Sequence, residues 1–174
     1  DKGRYWYAKT FATPKQPLGG GKVFVEFLAA GQQATVYVNG KEVVYHEGGY
    51  STFRADITEV CKEEGENLLV VACSNERKES VYPQSADFTF YGGLYRDVNI
   101  LAVNNSHFDL EYYGGPGIKV TPEVVENNAN VEVEVFTTNT LDTQKLNYIL
   151  KDREGNIIAQ KETSSSETKV TFEI

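Results

Sequence analysis

Apolar and polar residues alternate along several short stretches of this chain, and turn-forming residues separate those stretches. Alternation with a period of two places successive side chains on opposite faces of an extended backbone, so it predicts half-buried β-strands. The clearest such stretches are Val23 to Phe27, Val131 to Val135 and Leu146 to Leu150. Many short strands with regular turns are typical of antiparallel sandwiches. The chain is therefore predicted to be all-β.

Residues that tolerate positive φ angles mark the turns. The sharpest signal is Asn39-Gly40, which lies between two apolar stretches and predicts a hairpin with a type I′ turn. The other turn signals are Gly19-Gly20-Gly21, Gly48-Gly49, Gly65, Asn127-Asn128 and Gly155-Asn156. Only Thr58 to Glu64 could form a helical turn, with Asp56 or Thr58 as its cap.

Charge and composition exclude two classes of partner. The 174 residues carry a formal net charge of −8, whereas nucleic acids and anionic membrane surfaces select for clusters of Lys and Arg. No apolar run approaches the roughly 18 residues that a membrane-spanning helix needs, and no signal-peptide pattern opens the chain. We therefore expect no nucleic acid and no membrane among its partners. The compartment stays open between the cytoplasm and a periplasmic or secreted location.

The two cysteines, Cys61 and Cys73, do not have the spacing of metal ligands. A structural zinc site needs four ligands, and His46 and His107 lie far from both cysteines in sequence. Two free, packed thiols are favoured over a disulfide, because unpaired cysteine behaves as a small apolar residue. The sequence does not fix the distance between the two sulfur atoms.

Aromatic residues surround a single acid and a glycine pair between Ser80 and Val98. The segment contains Tyr82, Phe88, Phe90, Tyr91 and Tyr95, together with Asp87 and Gly92-Gly93. Aromatic rings can cover the apolar face of a sugar while a lone carboxylate accepts hydrogen bonds from its hydroxyls, which suits a polyol better than a phosphate or a base pair. The candidate substrate-binding residues are Asp87, Tyr82, Phe90 and Tyr91. No residue is a candidate for catalysis.

The stretch Tyr91 to Val98, Tyr-Gly-Gly-Leu-Tyr-Arg-Asp-Val, resembles a signature of the amino-terminal domains of family two glycoside hydrolases, which carry Ile at the position of Leu94. Further blocks resemble the same family in the same order, namely Trp6 to Phe11, Val36 to Lys41, His46 to Tyr50, Asp56 to Thr58 and Gly65 to Val71. Several blocks in order are far more specific than one short motif. The chain is identified as a member of this family, which contains β-galactosidases, β-glucuronidases and β-mannosidases.

The resemblance implies two domains, separated at the polar step Asn104 to Ser106. Residues 1–103 would form a sugar-binding jelly-roll sandwich, and residues 106–174 an immunoglobulin-like sandwich. The second region offers roughly five strands where such a sandwich has about seven, so we expect it to be truncated. An unfinished sandwich leaves a sheet edge that can pair with another chain, which makes a homo-oligomer one expected partner.

The family resemblance implies that the parent protein is a retaining glycoside hydrolase, and the segment Tyr82 to Phe88 is more similar to β-galactosidases than to the glucuronidase branch. Its two catalytic Glu residues, about 5 to 5.5 Å apart, would lie on a barrel domain that this sequence does not contain. The chain alone is therefore expected to be non-catalytic. Its expected partners are that barrel of the same polypeptide and a galactoside-type carbohydrate.

The same resemblance gives Asp87 a second expected role. In β-galactosidases of the family, the acid at this position reaches the substrate pocket and can help to ligate a sodium ion. No cofactor is expected in this chain itself, and the parent enzyme is expected to use sodium or magnesium.

Other interpretations stay open beside these. Asp87 could cap a turn, and Tyr91 to Gly93 could form a strand-entry turn that needs glycine. Arg96-Asp97 and His46-Glu47 could be structural, and Trp6-Tyr7 could pack in the core or between domains. The alternative functions are a stand-alone carbohydrate-binding module and a β-sandwich adhesion or scaffold protein.

Overall fold

The computed structural model describes residues 2–15, 20–83, 85–87 and 90–174, so that Gly19 of the first turn signal lies outside the described residues. Within these ranges the chain consists of β-strands, turns and one short 3-10 helix. None of these residues belongs to a helix that is long and apolar enough to cross a membrane. The chain divides into two compact units, Asp1–Asn104 and Asn105–Ile174. The predicted all-β sandwich class is confirmed.

The first unit is a β-sandwich. Its described strands are β1 (Arg4–Ala12), β2 (Gly21–Phe27), β3 (Gln33–Val38), β4 (Lys41–Glu47), β5 (Phe53–Asp56), β6 (Glu66–Ser74) and β7 (Val98–Asn104). They form two antiparallel sheets, ordered β1-β6-β3-β4 and β5-β2-β7. Both sheets contribute to one apolar core, whose buried members include Val23, Val25, Phe27, Val36, Val38, Phe53, Val71 and Cys73.

Strands β3 and β4 form the predicted hairpin. Asn39 and Gly40 have φ angles of 51° and 82°, the positive values that a type I′ turn needs. The side chain of Asn39 also bonds to β6: its Nδ2 donates to Asn67 Oδ1 at 2.8 Å, and its Oδ1 accepts the Leu68 N–H at 2.9 Å. The turn is therefore fixed both by its own backbone and by the neighbouring strand.

The expected helical turn is shorter than its sequence suggested. A 3-10 helix covers only Thr58–Val60. Its N-cap residue, Ile57, makes no side-chain cap hydrogen bond. The carboxylate of Asp56, one residue earlier, accepts the Thr58 N–H at 2.9 Å.

Strand β2 departs from the half-buried pattern, because both of its faces are covered. Phe24 and Glu26, on the face opposite to the core, are only 3% and 8% exposed. Arg54 Nε of β5 donates to Glu26 Oε2 at 2.6 Å, and Asn99 Nδ2 of β7 donates to Glu26 Oε1 at 3.0 Å. Burial would raise the pKa of the Glu26 carboxyl, but these hydrogen bonds outweigh it and the pKa lies below its ordinary value. The middle strand of the sheet thus holds a buried, ionised acid.

The second unit has its own strands and its own smaller core. Its strands are β8 (His107–Phe108), β9 (Ile118–Val125), β10 (Asn128–Val135), β11 (Thr137–Thr138), β12 (Lys145–Lys151), β13 (Ile157–Ser164) and β14 (Lys169–Glu173). They pair in the orders β14-β10-β9, β12-β13 and β11-β8. The buried core residues are Val131, Val135, Tyr148, Val170 and Phe172.

Five long strands of this unit correspond to the five expected, and the two-residue strands β8 and β11 are additional. The predicted alternation holds in β12, where Tyr148 is buried while Asn147 and Ile149 are exposed. The assignment of this unit to an immunoglobulin-like domain, and its truncation, stay predictions.

We expect Glu26→Gln to lower the free energy of unfolding of the first unit by about 2 kcal/mol, because the half-buried Arg54 Nε would lose its charged hydrogen-bond acceptor. Urea unfolding can be followed by the fluorescence of Trp6, the single tryptophan of the chain, which lies in this unit. The pKa of Glu26 is lower in the folded protein than in the unfolded chain. The difference in unfolding free energy between Glu26→Gln and the unsubstituted protein should therefore have its full size above the ordinary Glu pKa of about 4.3. It should shrink as the pH falls through the lowered pKa.

The matched control is Glu63→Gln, the same substitution at an exposed position. It should change the free energy of unfolding by less than about 0.5 kcal/mol. Equal effects of the two substitutions would show that the buried acid does not stabilise the sheet.

Candidate functional site

The four candidate substrate-binding residues lie in one connection, residues 75–97, which joins β6 to β7 and is here called the site loop. Tyr82 and Tyr91 are 77% and 73% exposed. Asp87 is exposed and Phe90 is half-buried. Three of the four candidate residues, Tyr82, Asp87 and Tyr91, are therefore exposed to solvent.

Asp87 makes no hydrogen bond within the part of the chain that the structure describes. The two residues after it, Phe88 and Thr89, lie outside the described residues. Phe88 was one of the aromatic residues of the predicted sugar site. Both interpretations of Asp87, as a sugar contact and as a turn cap, stay predictions.

The C-terminal end of the site loop is fixed by close packing of glycine backbone. Gly93 and Gly31 form an antiparallel bridge with N–H···O distances of 3.0 and 3.1 Å. Gly93 has a φ angle of 77°, and a Cβ atom there would lie 2.1 Å from the Tyr7 hydroxyl. A Cβ atom on Gly92 would lie 2.8 Å from the side-chain nitrogen of Asn75. The fold therefore favours glycine at position 93, and a side chain at position 92 would require Asn75 to shift.

The residues after the glycine pair bind the turn between β4 and β5. The Tyr95 hydroxyl donates to the Gly49 carbonyl, and Arg96 Nη1 donates to the Tyr50 carbonyl at 3.4 Å. Leu94 packs against the core of the unit. Arg96 is exposed, and its backbone partner indicates a structural role for this part of the motif.

The N-terminal end of the site loop is held by Glu47, a residue whose sequence context indicated only an ordinary strand end. Lys78 Nζ donates to Glu47 Oε1, and Ser80 Oγ donates to Glu47 Oε2 at 2.6 Å. Hydrogen bonds from Lys78, Ser80 and Tyr45 lower the pKa of Glu47 to about 2. These partners on the site loop are 31 and 33 residues away in sequence, so no local pattern could have indicated them.

The remaining groups that could react or bind metal have structural surroundings. His46 is half-buried and its ring stacks on Phe53 with centroids 4.0 Å apart, and burial lowers its pKa. Cys61 and Cys73 are free thiols, and burial raises the pKa of both, that of Cys73 to about 11. Within the described ranges, no group of three or more His, Cys, Asp or Glu side chains could hold a metal ion.

An apolar groove of about 560 Å³ runs beside β1, and its lining includes Trp6 to Phe11, Leu94, Val98 and Ile100. None of the four candidate residues lines it. Trp6 is 61% exposed, and its ring stacks on Tyr37 with centroids 6.3 Å apart. Trp6 is therefore not a core residue, because β1 is the edge strand of its sheet, and packing between domains stays a prediction.

Comparison with known proteins places these features in a family. Residues 1–104 match the family described as "Glycosyl hydrolases family 2, sugar binding domain". The matched range covers the site loop and the Gly92-Gly93 pair near its C-terminal end.

Similar proteins carry two different enzyme names. The structure of an FMN-binding beta-glucuronidase from Facaelibacterium prausnitzii L2-6 is 48% identical with a TM-score of 0.89, over 99% of this chain and 27% of that one. A beta-glucuronidase of Bacteroides fragilis is 34% identical over 61% of this chain and 15% of its own length. A beta-galactosidase of Thermoanaerobacter pseudethanolicus is 35% identical over 62% of this chain and 15% of its own length. The chain thus spans about 15% of the length of these two curated relatives.

We expect Gly93→Ala to destabilise the first unit by more than about 2 kcal/mol, because alanine disfavours a positive φ angle and its Cβ atom would overlap the Tyr7 hydroxyl. Gly65→Ala is the matched control, since Gly65 has a φ angle of 86° but open space around it. It should cost only about 1 kcal/mol. Urea unfolding monitored by tryptophan fluorescence measures both.

A second substitution separates the overlap from the backbone strain. Tyr7→Phe in the Gly93→Ala background removes the overlapping oxygen, so it should recover part of the loss. Gly93→Ala that costs no more than Gly65→Ala would contradict the close packing at this end of the site loop.

Proposed function

Because the chain belongs to the glycosyl hydrolases of family 2, with its sugar binding domain at residues 1–104, we propose that it is the non-catalytic amino-terminal part of a retaining glycoside hydrolase. In that enzyme it would supply one wall of the sugar pocket. The two catalytic carboxylates would lie on the barrel domain of the same polypeptide, because a retaining site needs both of them about 5 to 5.5 Å apart across one bond.

The observation that carries this proposal is the exposure of Tyr82, Asp87 and Tyr91 in the middle of the site loop, here called its tip. Tyr82 and Tyr91 present aromatic rings that can cover the apolar face of a sugar. Asp87 presents an exposed carboxylate that can accept hydrogen bonds from sugar hydroxyls. Phe90 is half-buried and would offer a smaller part of its ring to the sugar. These residues would bind and orient the substrate, and none of them would transfer a proton.

We place a β-glucuronide first among the candidate substrates and a β-galactoside second. The glucuronide is supported by the structural relative of that name, which covers nearly the whole chain. The galactoside is supported by the likeness of Tyr82 to Phe88 to β-galactosidases and by a curated relative of that name.

The charge of Asp87 limits how either sugar can lie in the pocket. Two carboxylates about 4 Å apart repel each other by about 4 kcal/mol at an effective dielectric constant near 20. A glucuronide would therefore have to direct its own carboxylate away from Asp87 and offer ring hydroxyls to it. A galactoside carries no charge and could offer any of its hydroxyls.

The role of Asp87 as a sodium ligand stays a prediction. Hard cations take about six or more oxygen ligands, and the described residues around Asp87 do not supply a metal-binding group. Asp87 would contribute one ligand at most, and the others would have to come from elsewhere in the enzyme. The stacking and hydrogen-bonding roles proposed above do not depend on the ion.

We expect Asp87→Asn in the full-length enzyme to lower kcat/KM by about 10-fold or more, with a raised KM, because a hydrogen bond to a charged acceptor contributes about 1.5 to 3 kcal/mol. The melting temperature should change by less than about 1 °C, since Asp87 is exposed. Kinetics with β-glucuronide and β-galactoside substrates, together with a melting curve, measure both quantities.

Asp142→Asn, the same substitution at an exposed position in the second unit, is the control and should change neither quantity. A lowered melting temperature with unchanged kinetics would make Asp87 a turn cap and would remove it from the pocket. A gain of activity toward the glucuronide alone would place its carboxylate beside Asp87 and would argue for the galactoside as the natural substrate.

A further inference from the structure

The carboxylate of Glu47 joins the last residue of β4 to the beginning of the site loop. Its Oε2 accepts the Ser80 hydroxyl at 2.6 Å. Its Oε1 accepts Lys78 Nζ and also the Tyr45 hydroxyl, the latter at 2.7 Å. Both carboxylate oxygens therefore hold residues of one short segment of the loop against the edge strand of the sheet.

The segment that Glu47 holds is itself a closed turn. The Val81 N–H donates to the Lys78 carbonyl at 3.0 Å, and the Val81 side chain is only 3% exposed. The next residue, Tyr82, is 77% exposed. The chain thus passes within one residue from a buried anchor to the exposed tip that carries Asp87.

The magnitude of this interaction indicates a geometric role rather than a large contribution to stability. The side chains of Glu47 and Lys78 are both partly exposed, and ion pairs in contact with solvent contribute little to stability. Such a pair changes the folding equilibrium little. It can nevertheless decide where a loop lies, because a loop has few other contacts and opens at low cost.

Tyr45 completes the arrangement from the strand side. Lys78 Nζ donates to the Tyr45 hydroxyl at 2.8 Å and lies 5.1 Å from the centre of its ring. The Tyr45 hydroxyl is also 3.4 Å from Gln33 Oε1 of the adjacent strand β3. Residues of the sheet therefore fix the position of the Lys78 ammonium group, and this holds the beginning of the site loop against β4.

We propose that Glu47 is a positioning residue, which fixes the turn 78–81 to the sheet and thereby directs Tyr82 and Asp87 toward the sugar. With the Gly93 bridge at the other end, both ends of the tip are then anchored on the same unit. The role assigned to Asp87 rests on the proposed function, whereas the anchoring of the turn by Glu47 does not.

Amide hydrogen exchange of the 174-residue chain tests the anchoring directly. In Glu47→Gln the Lys78 ion pair is lost, so exchange of the Val81 amide should accelerate by about 2- to 5-fold. Amides of β3 and β6 should keep their rates. Glu42→Gln, the same substitution at an exposed position of the same strand, is the matched control and should leave both sets unchanged.

Two results of this experiment would overturn the proposal. Equal Val81 exchange in Glu47→Gln and Glu42→Gln would show that Glu47 does not hold the turn. Acceleration of the β3 and β6 amides by the same factor as Val81 would show that Glu47 stabilises the whole unit and has no special relation to the loop.

Kinetics of the full-length enzyme test the positioning. If Glu47 acts through Asp87, Glu47→Gln should raise KM. The double variant Glu47→Gln/Asp87→Asn should then have about the same kcat/KM as Asp87→Asn alone. Multiplied losses in the double variant would overturn the positioning role. An Asp87→Asn enzyme with unchanged kinetics would refute the proposed function, and hydrogen exchange would still decide whether Glu47 anchors the turn.

Discussion

Three glycines with little room for a Cβ atom determine how the end of the site loop packs on the rest of the first unit. A Cβ atom on Gly31 would lie 2.7 Å from the Tyr91 carbonyl oxygen, and Gly92 and Gly93 face Asn75 and Tyr7 at similarly short distances. This close approach joins the connection after β2, the edge strand β1 and the end of the site loop. The glycine pair in the motif Tyr91 to Val98 is therefore explained by close packing. The sugar contacts that we propose lie before this pair in the sequence.

The site loop has two anchored ends and an exposed middle part. At one end of the site loop the backbone bridge between Gly31 and Gly93 requires no side chain, and at the other end Glu47 holds Lys78 and Ser80. Between these ends, aromatic rings and one carboxylate face solvent. An arrangement of this kind lowers the entropy that would otherwise be lost when the tip orders around a ligand.

Local sequence patterns predicted the parts of the fold that depend on local physics. The Asn39-Gly40 hairpin was predictable because both φ angles are properties of the two residues themselves. The burial of Glu26 was not, because its partners Arg54 and Asn99 are 28 and 73 residues away. The Glu47 contacts escaped prediction for the same reason. The position of Asp87 on an exposed loop followed from the family resemblance, whereas the order in which we place a glucuronide and a galactoside rests on similar proteins that carry both names.

The affinity of the isolated chain for simple sugars tests most directly whether it forms one wall of a pocket. A single wall supplies only part of the contacts of a closed site, so titration calorimetry with a β-glucuronide and a β-galactoside should give dissociation constants of about 1 mM or weaker. Binding in the range of about 1 μM to either sugar would contradict this account. It would show a complete site in the chain itself, as expected of a stand-alone carbohydrate-binding module.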